Sequence, residues 1–200
     1  RENDLLLLVA DEPDKALTVL GSLRLEIARR QQMIPANVFK VAWIVYFPLF
    51  EYSEEDARYV ARHHPFTSPK SGQIDLIDSD PAHAKARAYD LVLNGVEIAG
   101  GSIRISDQQV QRKMFSALGI GDQEANDKFG FLLEALRYGA PPHGGIAFGF
   151  DRMVMLLSNS QSIREVIAFP KTASAMSLMD NAPSSVSDRQ LDELGLCIKR

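Results

Sequence analysis

The chain has 200 residues, of which 46% are apolar and 24% charged, and its formal net charge is −4. This length allows one domain with a sizeable core, or one domain plus part of another, and the composition is ordinary for a globular protein. The negative net charge argues against a nucleic-acid-binding surface that covers the whole protein, but not against a local one. One cysteine, Cys197, cannot form an internal disulfide, and the apolar run at residues 5–10 is too short to span a bilayer. We therefore expect a cytoplasmic protein without a membrane anchor.

The first elements in chain order are a short strand at residues 5–10 and a helix. The helix begins near Pro13 and ends at Arg30, because apolar residues recur at helical spacing between them. Residues 31–40 have no clean period and predict a connector with a domain boundary. The sequence begins with Arg and enters an apolar segment almost at once, which suggests a piece of a longer protein.

Residues 41–50 form an apolar, β-branched and aromatic segment that predicts a strand, ended by Pro48. A loop at residues 63–69 follows and carries the adjacent histidines His63 and His64 between proline-stiffened turns. Two neutral imidazoles could bind a metal, but adjacent histidines rarely chelate one ion. Hydrogen bonding to an acidic ligand is the preferred interpretation, and ordinary loop polarity is the alternative.

The stretch AYDLVLNGVEIAGGSIRI predicts a β-hairpin around Asn94-Gly95. A regular register pairs Asp90 with Ala99 and places Asp90 on the same face as Glu97. Two carboxylates at that range repel each other unless a proton or a cation lies between them. Hard oxygen ligands beside substrate phosphates are typical of Mg²⁺ sites.

Arg104 is seven residues beyond Glu97, and this odd offset places it on the opposite face of a regular strand. A β-bulge would reverse that parity, and Gly100-Gly101 is where we expect it. Arg104 would then be available for bidentate capture of a carboxylate. The alternative is a plain exposed hairpin whose polar face meets only water.

The remaining pattern predicts two helices, a strand, a third helix and a last strand. Ser106 is the expected N-cap of the first helix, the second begins near Asp122, and residues 143–157 predict strand, glycine turn and helix. Residues 166–169 are the last expected strand. Antiparallel strands with interspersed helices indicate the α+β class.

The helix that opens at Gly149 offers free N–H groups to an anion. Arg152 in its first turn opposes the helix dipole, which is tolerable if a phosphate neutralises it or if Asp151 pairs with it. A surface pair between Asp151 and Arg152 on a core helix is the simpler interpretation. Lys171 is interpreted as a solvated charge.

Four motifs stand in one order: HHPFTSP, AYDLVLNGVEIAGGSIRI, KFGFLLEALRYGAPPHGGIAFGFDRMVMLL and IREVIAFPK. Their order and spelling resemble those of bacterial-type aspartyl-tRNA synthetases, which are class II enzymes, over roughly residues 1–185. GFDR resembles the third class II signature motif, and GGSIRI is similar to the block that separates aspartyl enzymes from lysyl and asparaginyl ones. The resemblance implies an antiparallel-sheet catalytic core at residues 37–200 and the end of a bacterial insertion domain at residues 1–36.

The resemblance also implies an activity: ATP activates L-aspartate to aspartyl-adenylate, and the aspartyl group passes to the 3′ end of tRNA(Asp), in a full-length homodimer. It further implies these roles by position: aspartate binding by His63, His64 and Arg104; Mg²⁺ binding by Asp90 and Glu97; ATP binding by Glu97, Gly149, Phe150, Asp151 and Arg152, with Arg152 catalytic. Catalysis would rest on positioning and charge neutralisation at the α-phosphate.

The sequence departs from the family pattern at two positions, where Ala99 replaces the usual Gly and Phe150 the commoner Leu. The first two signature motifs and the N-terminal anticodon-binding barrel are not found, so the expected chain is a C-terminal portion that is inactive alone. Two alternatives stay open: an amide-forming enzyme that uses an aspartyl-adenylate, and a synthetase-derived fragment that only binds.

Overall fold

The structure is a computed structural model that describes residues 5–36 and 38–199. The chain forms two compact units, Arg1–Lys40 and Val41–Arg200. Among the described residues, no helix combines the length and the apolarity that crossing a membrane requires.

The described residues of the first unit form one helix, α1 (Pro13–Arg30). Pro13 lies in its first turn and Arg30 in its last, as the sequence pattern predicted, and the arginine complements the helix dipole. The strand expected at residues 5–10 is wrong, because these residues have no regular secondary structure. No strand in the described part of this unit offers their backbone groups a partner, and apolar sequence alone does not make a ladder.

The strands of the second unit are β1 (Val41–Val45), β2 (Phe50–Ser53), β3 (Arg58–Ala61), β4 (Ala88–Leu93), β5 (Val96–Ile103) and β6 (Gly144–Phe148). The unit is built on an antiparallel sheet with the strand order β1-β4-β5-β6. A separate two-stranded hairpin, β2 with β3, lies between β1 and β4 in the sequence. The single strand expected at 41–50 therefore ends at Val45, where Tyr46 adopts a φ of 65° and the chain leaves the sheet.

Helices alternate irregularly with these strands, which confirms the α+β class. They are α2 (Leu76–Ser79), α3 (Gln108–Ala117), α4 (Asp122–Arg137), α5 (Phe150–Leu157), a 3₁₀ turn (Ile163–Glu165) and α6 (Asp188–Glu193). The N-cap of α3 is Asp107, whose carboxylate accepts hydrogen bonds from the N–H groups of Gln109 and Val110, so the expected cap Ser106 is wrong by one residue. Residues 166–169 continue as turns and bends, so the last expected strand is wrong.

The core lies at one end of the sheet, between β4, the loops that flank it and α3. Its buried members are Leu49, Phe50, Ile77, Ala84, Ala86, Ala88, Ile105, Met114 and Leu118. The edge strands differ, because every residue of β1 and of β6 is exposed, Trp43 and Phe148 by 56% and 54%. Core packing thus fixes the base of the β4–β5 hairpin, while both edges of the sheet are open.

Candidate active site

The hairpin formed by β4 and β5 turns at Asn94 and Gly95, whose φ values of 50° and 84° fit a type I′ turn. The register begins as expected, with Val92 opposite Glu97. It then shifts, since Leu91 lies opposite Ala99 and Asp90 opposite Gly100. The expected pairing of Asp90 with Ala99 is therefore wrong.

The shift leaves Ile98 as the extra residue of a β-bulge, two residues before the glycine pair where the sequence placed it. The bulge has a tertiary cause. The Gly149 N–H donates to the Ile98 carbonyl at 2.8 Å, and Arg152 Nη1 donates to the Glu97 carbonyl at 2.9 Å. Both carbonyls are turned toward the start of α5, so the GFDR segment holds the bulge open.

The carboxylates of Asp90 and Glu97 converge over Gly100. A Cβ placed on Gly100 would lie 2.8 Å from Asp90 Oδ1 and 3.3 Å from Glu97 Oε1. Partial burial raises the pKa of Asp90, the negative charge of Glu97 raises it further, and His63 opposes both effects. The pair therefore carries a charge repulsion that a bound cation would relieve.

The chemistry of this pair fits Mg²⁺, since two carboxylates and substrate phosphate oxygens are the hard ligands that this ion prefers. In the part of the chain that the structure describes, no cluster of three or more acidic, histidine or cysteine side chains could hold a metal without a substrate. Arg152 Nη1 lies 3.4 Å from Glu97 Oε2, so the carboxylate of Glu97 forms an ion pair with the first turn of α5 as well as facing Asp90.

Gly101, on the other face of β5, is required for a different reason. A Cβ at this position would lie 1.9 Å from the carbonyl oxygen of Gly145 and 2.9 Å from the ring of Tyr89. The Tyr89 hydroxyl donates to that same carbonyl at 3.0 Å. The absence of a side chain at Gly101 thus allows the Gly145 carbonyl of β6 and the Tyr89 ring to lie next to the backbone of β5.

Arg104 follows β5 on the face of Gly100, because alternation after the bulge carries residues 100, 102 and 104 to one side. The expectation that Arg104 shares a face with Glu97 holds, although the bulge lies elsewhere. The backbone N–H of Arg104 donates to the His143 carbonyl at 2.9 Å, and its guanidinium lies 2.9 Å from His64 Nδ1.

His64 brings the loop at residues 63–69 to Arg104. Its Nδ1 lies 2.9 Å from Arg104 Nη1 and 3.2 Å from the N–H of Phe66. Both groups can only donate, so Nδ1 accepts and the neutral ring carries its proton on Nε2. Burial lowers the pKa of His64, and the positive charge of Arg104 and then His63 lower it further. His63 lies against Phe47, with ring centroids 5.0 Å apart at 84°.

The first turn of α5 is exposed throughout, at Gly149, Phe150, Asp151 and Arg152. Arg152 bonds to Glu97 across 55 residues of sequence, so the surface pair with Asp151 does not describe its contacts. Lys171 is also exposed, as the solvated-charge interpretation expected.

The structure adds one residue to the candidate site that the motifs do not include, Gln111 in α3. It is only 1% exposed and donates from Nε2 to the Pro65 carbonyl at 2.8 Å. A signal was present, since Gln111 lies at helical spacing with the buried Met114, Phe115 and Leu118, where an apolar residue is normal.

The family model for class II tRNA synthetases of the D, K and N type matches residues 15–173. The chain belongs to this class II family. Over 196 residues it is 58% identical to an aspartate–tRNA(Asp/Asn) ligase of Nitratidesulfovibrio vulgaris, which covers 98% of this chain and 32% of that protein. It is 54% identical to an aspartate–tRNA ligase of Staphylococcus haemolyticus, with 98% and 33% covered. The chain thus spans about a third of the length of these relatives.

Solved class II structures share the fold. An aspartyl-tRNA synthetase from Entamoeba histolytica has a TM-score of 0.52 at 21% identity, over 88% of this chain and 30% of that one. An asparaginyl-tRNA synthetase from the same organism, in complex with asparaginyl-adenylate, has a TM-score of 0.50 at 24% identity, over 68% and 26%. At these identities the likeness concerns the antiparallel α+β architecture alone.

Proposed function

We propose that this chain supplies part of the active site of an aspartate–tRNA ligase, which activates L-aspartate with ATP and transfers it to tRNA(Asp). The observation that carries the proposal is the arrangement along one face of β5. Asp90 and Glu97 converge at one end beside Arg152, and Arg104 lies toward the other end beside His64. A divalent-ion and phosphate site thus adjoins a cation suited to a carboxylate.

Each group has a distinct task in this proposal. Asp90 and Glu97 hold Mg²⁺, which when bound neutralises the charge of the ATP phosphates. Arg152 contacts the terminal phosphate and the base, and Gly149, Phe150 and Asp151 line the same region.

Arg104 binds the side-chain carboxylate of aspartate with its planar fork, and His63 and His64 belong to the loop that closes over it. None of these residues attacks the substrate, so the contribution is positioning and electrostatic stabilisation.

The proposal includes the context of the whole enzyme: a homodimer, a cytoplasmic location and residues 1–36 as the end of an insertion domain. It also requires parts that this chain does not contribute. Both edge strands of the sheet are exposed and apolar, and the relatives are about three times as long. We therefore expect the 200-residue chain alone to be inactive in aspartate-dependent ATP–pyrophosphate exchange. Exchange by the chain alone at the rate of a full-length ligase would contradict this expectation.

The direct test uses a hybrid ligase, in which this chain replaces the matching third of the Nitratidesulfovibrio vulgaris relative. We expect the hybrid to catalyse ATP–pyrophosphate exchange with L-aspartate and not with L-asparagine or L-lysine. A folded hybrid that prefers either of the other amino acids would contradict the assignment of Arg104. Product analysis with and without tRNA then separates aspartyl-tRNA formation from release of a free amide.

A further inference from the structure

One peptide group near the candidate aspartate site is held from both sides. It joins Pro65 to Phe66, so the Pro65 carbonyl and the Phe66 N–H belong to the same planar unit. The carbonyl accepts from Gln111 Nε2 at 2.8 Å, and the N–H lies 3.2 Å from His64 Nδ1. Rotation of this peptide would break both contacts together.

The contacts form a continuous chain from α3 to Arg104. Gln111 donates to the peptide carbonyl, the peptide N–H donates to His64 Nδ1, and Arg104 donates to the same nitrogen at 2.9 Å. Hydrogen bonds on the two ends of one amide polarise it in the same sense, so each strengthens the other. The nitrogen that meets Arg104 is thereby kept as an acceptor.

We infer that Gln111 is a positioning residue for the candidate aspartate site: its amide orients the Pro65–Phe66 peptide, which fixes the ring and the tautomer of His64 beside Arg104. The identity of the donor is set by chemistry, because a carbonyl oxygen can be faced only by the NH₂ end of the glutamine. Gln111 donates to the Pro65 carbonyl and not to Arg104, and so acts through the Pro65–Phe66 peptide.

The burial of Gln111 supports a role beyond packing. Its Oε1 is enclosed and has no hydrogen-bond partner among the described residues. An unpartnered buried oxygen costs free energy, and an apolar side chain of similar size would avoid that cost. The amide is therefore explained by what its other end does, which is to hold the Pro65 carbonyl.

The loop has a second anchor that does not depend on Gln111. The Phe66 ring packs against Phe129 at 5.1 Å and against Phe115 at 6.0 Å, both edge-on. These aromatic contacts keep the loop on α3 and α4 when the glutamine is replaced. A variant at Gln111 should then change the orientation of the peptide more than the fold.

The test is nitrogen NMR of the imidazole rings in the 200-residue chain at neutral pH, where only four histidines need assignment. The wild-type chain is expected to show His64 protonated at Nε2 alone. Gln111→Met keeps the size and removes the donor. Arg104 still donates to Nδ1 in this variant, but the Phe66 N–H is no longer held there, so a minor population of His64 protonated at Nδ1 should appear. Gln109→Met, on the exposed face of α3, is the matched control and should leave His64 unchanged.

Two results would overturn the inference: a wild-type His64 protonated at Nδ1, or an unchanged tautomer in a folded Gln111→Met chain. If the methionine variant does not fold, the scalar coupling across the Gln111 N–H···O=C Pro65 bond in the wild-type chain decides. Its presence supports the inference, and its absence overturns it.

The consequence for aspartate rests on the proposed function and is measured separately in the hybrid ligase. The KM for aspartate should rise about twofold to tenfold in Gln111→Met, the range of one net hydrogen bond, with the KM for ATP unchanged. A purely structural role would change all kinetic constants together. A tautomer effect without any aspartate-dependent activity would contradict the proposed function and leave the positioning role intact.

Discussion

Strand β6 lies so close to Gly101 that any side chain at this position carries a measurable penalty. In Gly101→Ala the new methyl group would start 1.9 Å from the Gly145 carbonyl oxygen, whereas ordinary contacts lie at 3.4–4 Å. A flexible side chain cannot relieve this clash, because the obstacle is backbone. Strands β5 and β6 must therefore separate by more than about 1 Å, and their hydrogen bonds then leave good geometry.

Overpacking of this kind typically costs about 1–3 kcal/mol, and the lengthened ladder bonds place the expected loss at the upper end, about 3 kcal/mol. For a chain of this size each kcal/mol lowers the melting temperature by roughly 2–4 °C, so the expected decrease is roughly 6–12 °C. Thermal unfolding followed by circular dichroism measures it directly.

The control lies on the facing strand. A Cβ at Gly145 meets no atom within 4 Å, and the φ of Gly145 is not positive, so Gly145→Ala should be neutral or slightly stabilising. If Gly101→Ala melts within about 2 °C of the wild-type chain, or if both variants lose equal stability, the close approach of β5 and β6 is not what the structure describes.

Three further predictions concern the candidate site. Gly100→Ala places its methyl against the ends of the Asp90 and Glu97 side chains, which can move, so we expect a melting temperature within about 2 °C of wild type. The KM for ATP should rise in the hybrid ligase, and an unchanged KM would contradict a role of these carboxylates in ATP binding. Arg104→Lys removes the planar fork, and the loss of one charge-assisted hydrogen bond should raise the KM for aspartate in the hybrid roughly tenfold to 150-fold while folding is retained. Unchanged aspartate affinity in calorimetry would contradict the binding of the aspartate side-chain carboxylate by Arg104. The pKa of His64 is lower in the folded chain than the ordinary histidine value of 6.5, so the unfolded chain binds more protons as the pH falls below that value. The contribution of His64 to stability is therefore complete above pH 6.5 and decreases as the pH falls from 6.5 to the folded pKa. His64→Gln should flatten this decrease, measured as urea midpoints between those two pH values, and an identical decrease in both chains would contradict the assignment to His64.

The hairpin was largely predictable because its signals are local. Asn94-Gly95 imposes the turn, and the period of two places Asp90 and Glu97 on one face. The position of the bulge was not predictable from glycine content. It depends on Gly149 and Arg152, which lie about 50 residues later in the sequence and bind the carbonyls of Ile98 and Glu97.

Two of the wrong predictions, both of strands, extended a local pattern where its partner was lacking. Residues 5–10 and 166–169 are apolar enough for strands, but no strand among residues 5–36 and 38–199 pairs with either segment. Asp107 and Ser106 are both good caps, and the carboxylate of Asp107 reaches two N–H groups. The spacing of Gln111 within an apolar stripe indicates a buried polar residue, but its role depends on the Pro65 carbonyl, which lies 46 residues earlier in the sequence.

The bulge at Ile98 has a consequence for how far this stretch of sequence can change in length. Arg104 lies seven positions after Glu97, and the one unpaired residue between them places both side chains on the same face despite this odd offset. The number of residues in this segment therefore matters more than their identity at most positions. A substitution leaves the alternation of side chains unchanged, whereas one added or deleted residue would turn Arg104 to the face opposite the carboxylates.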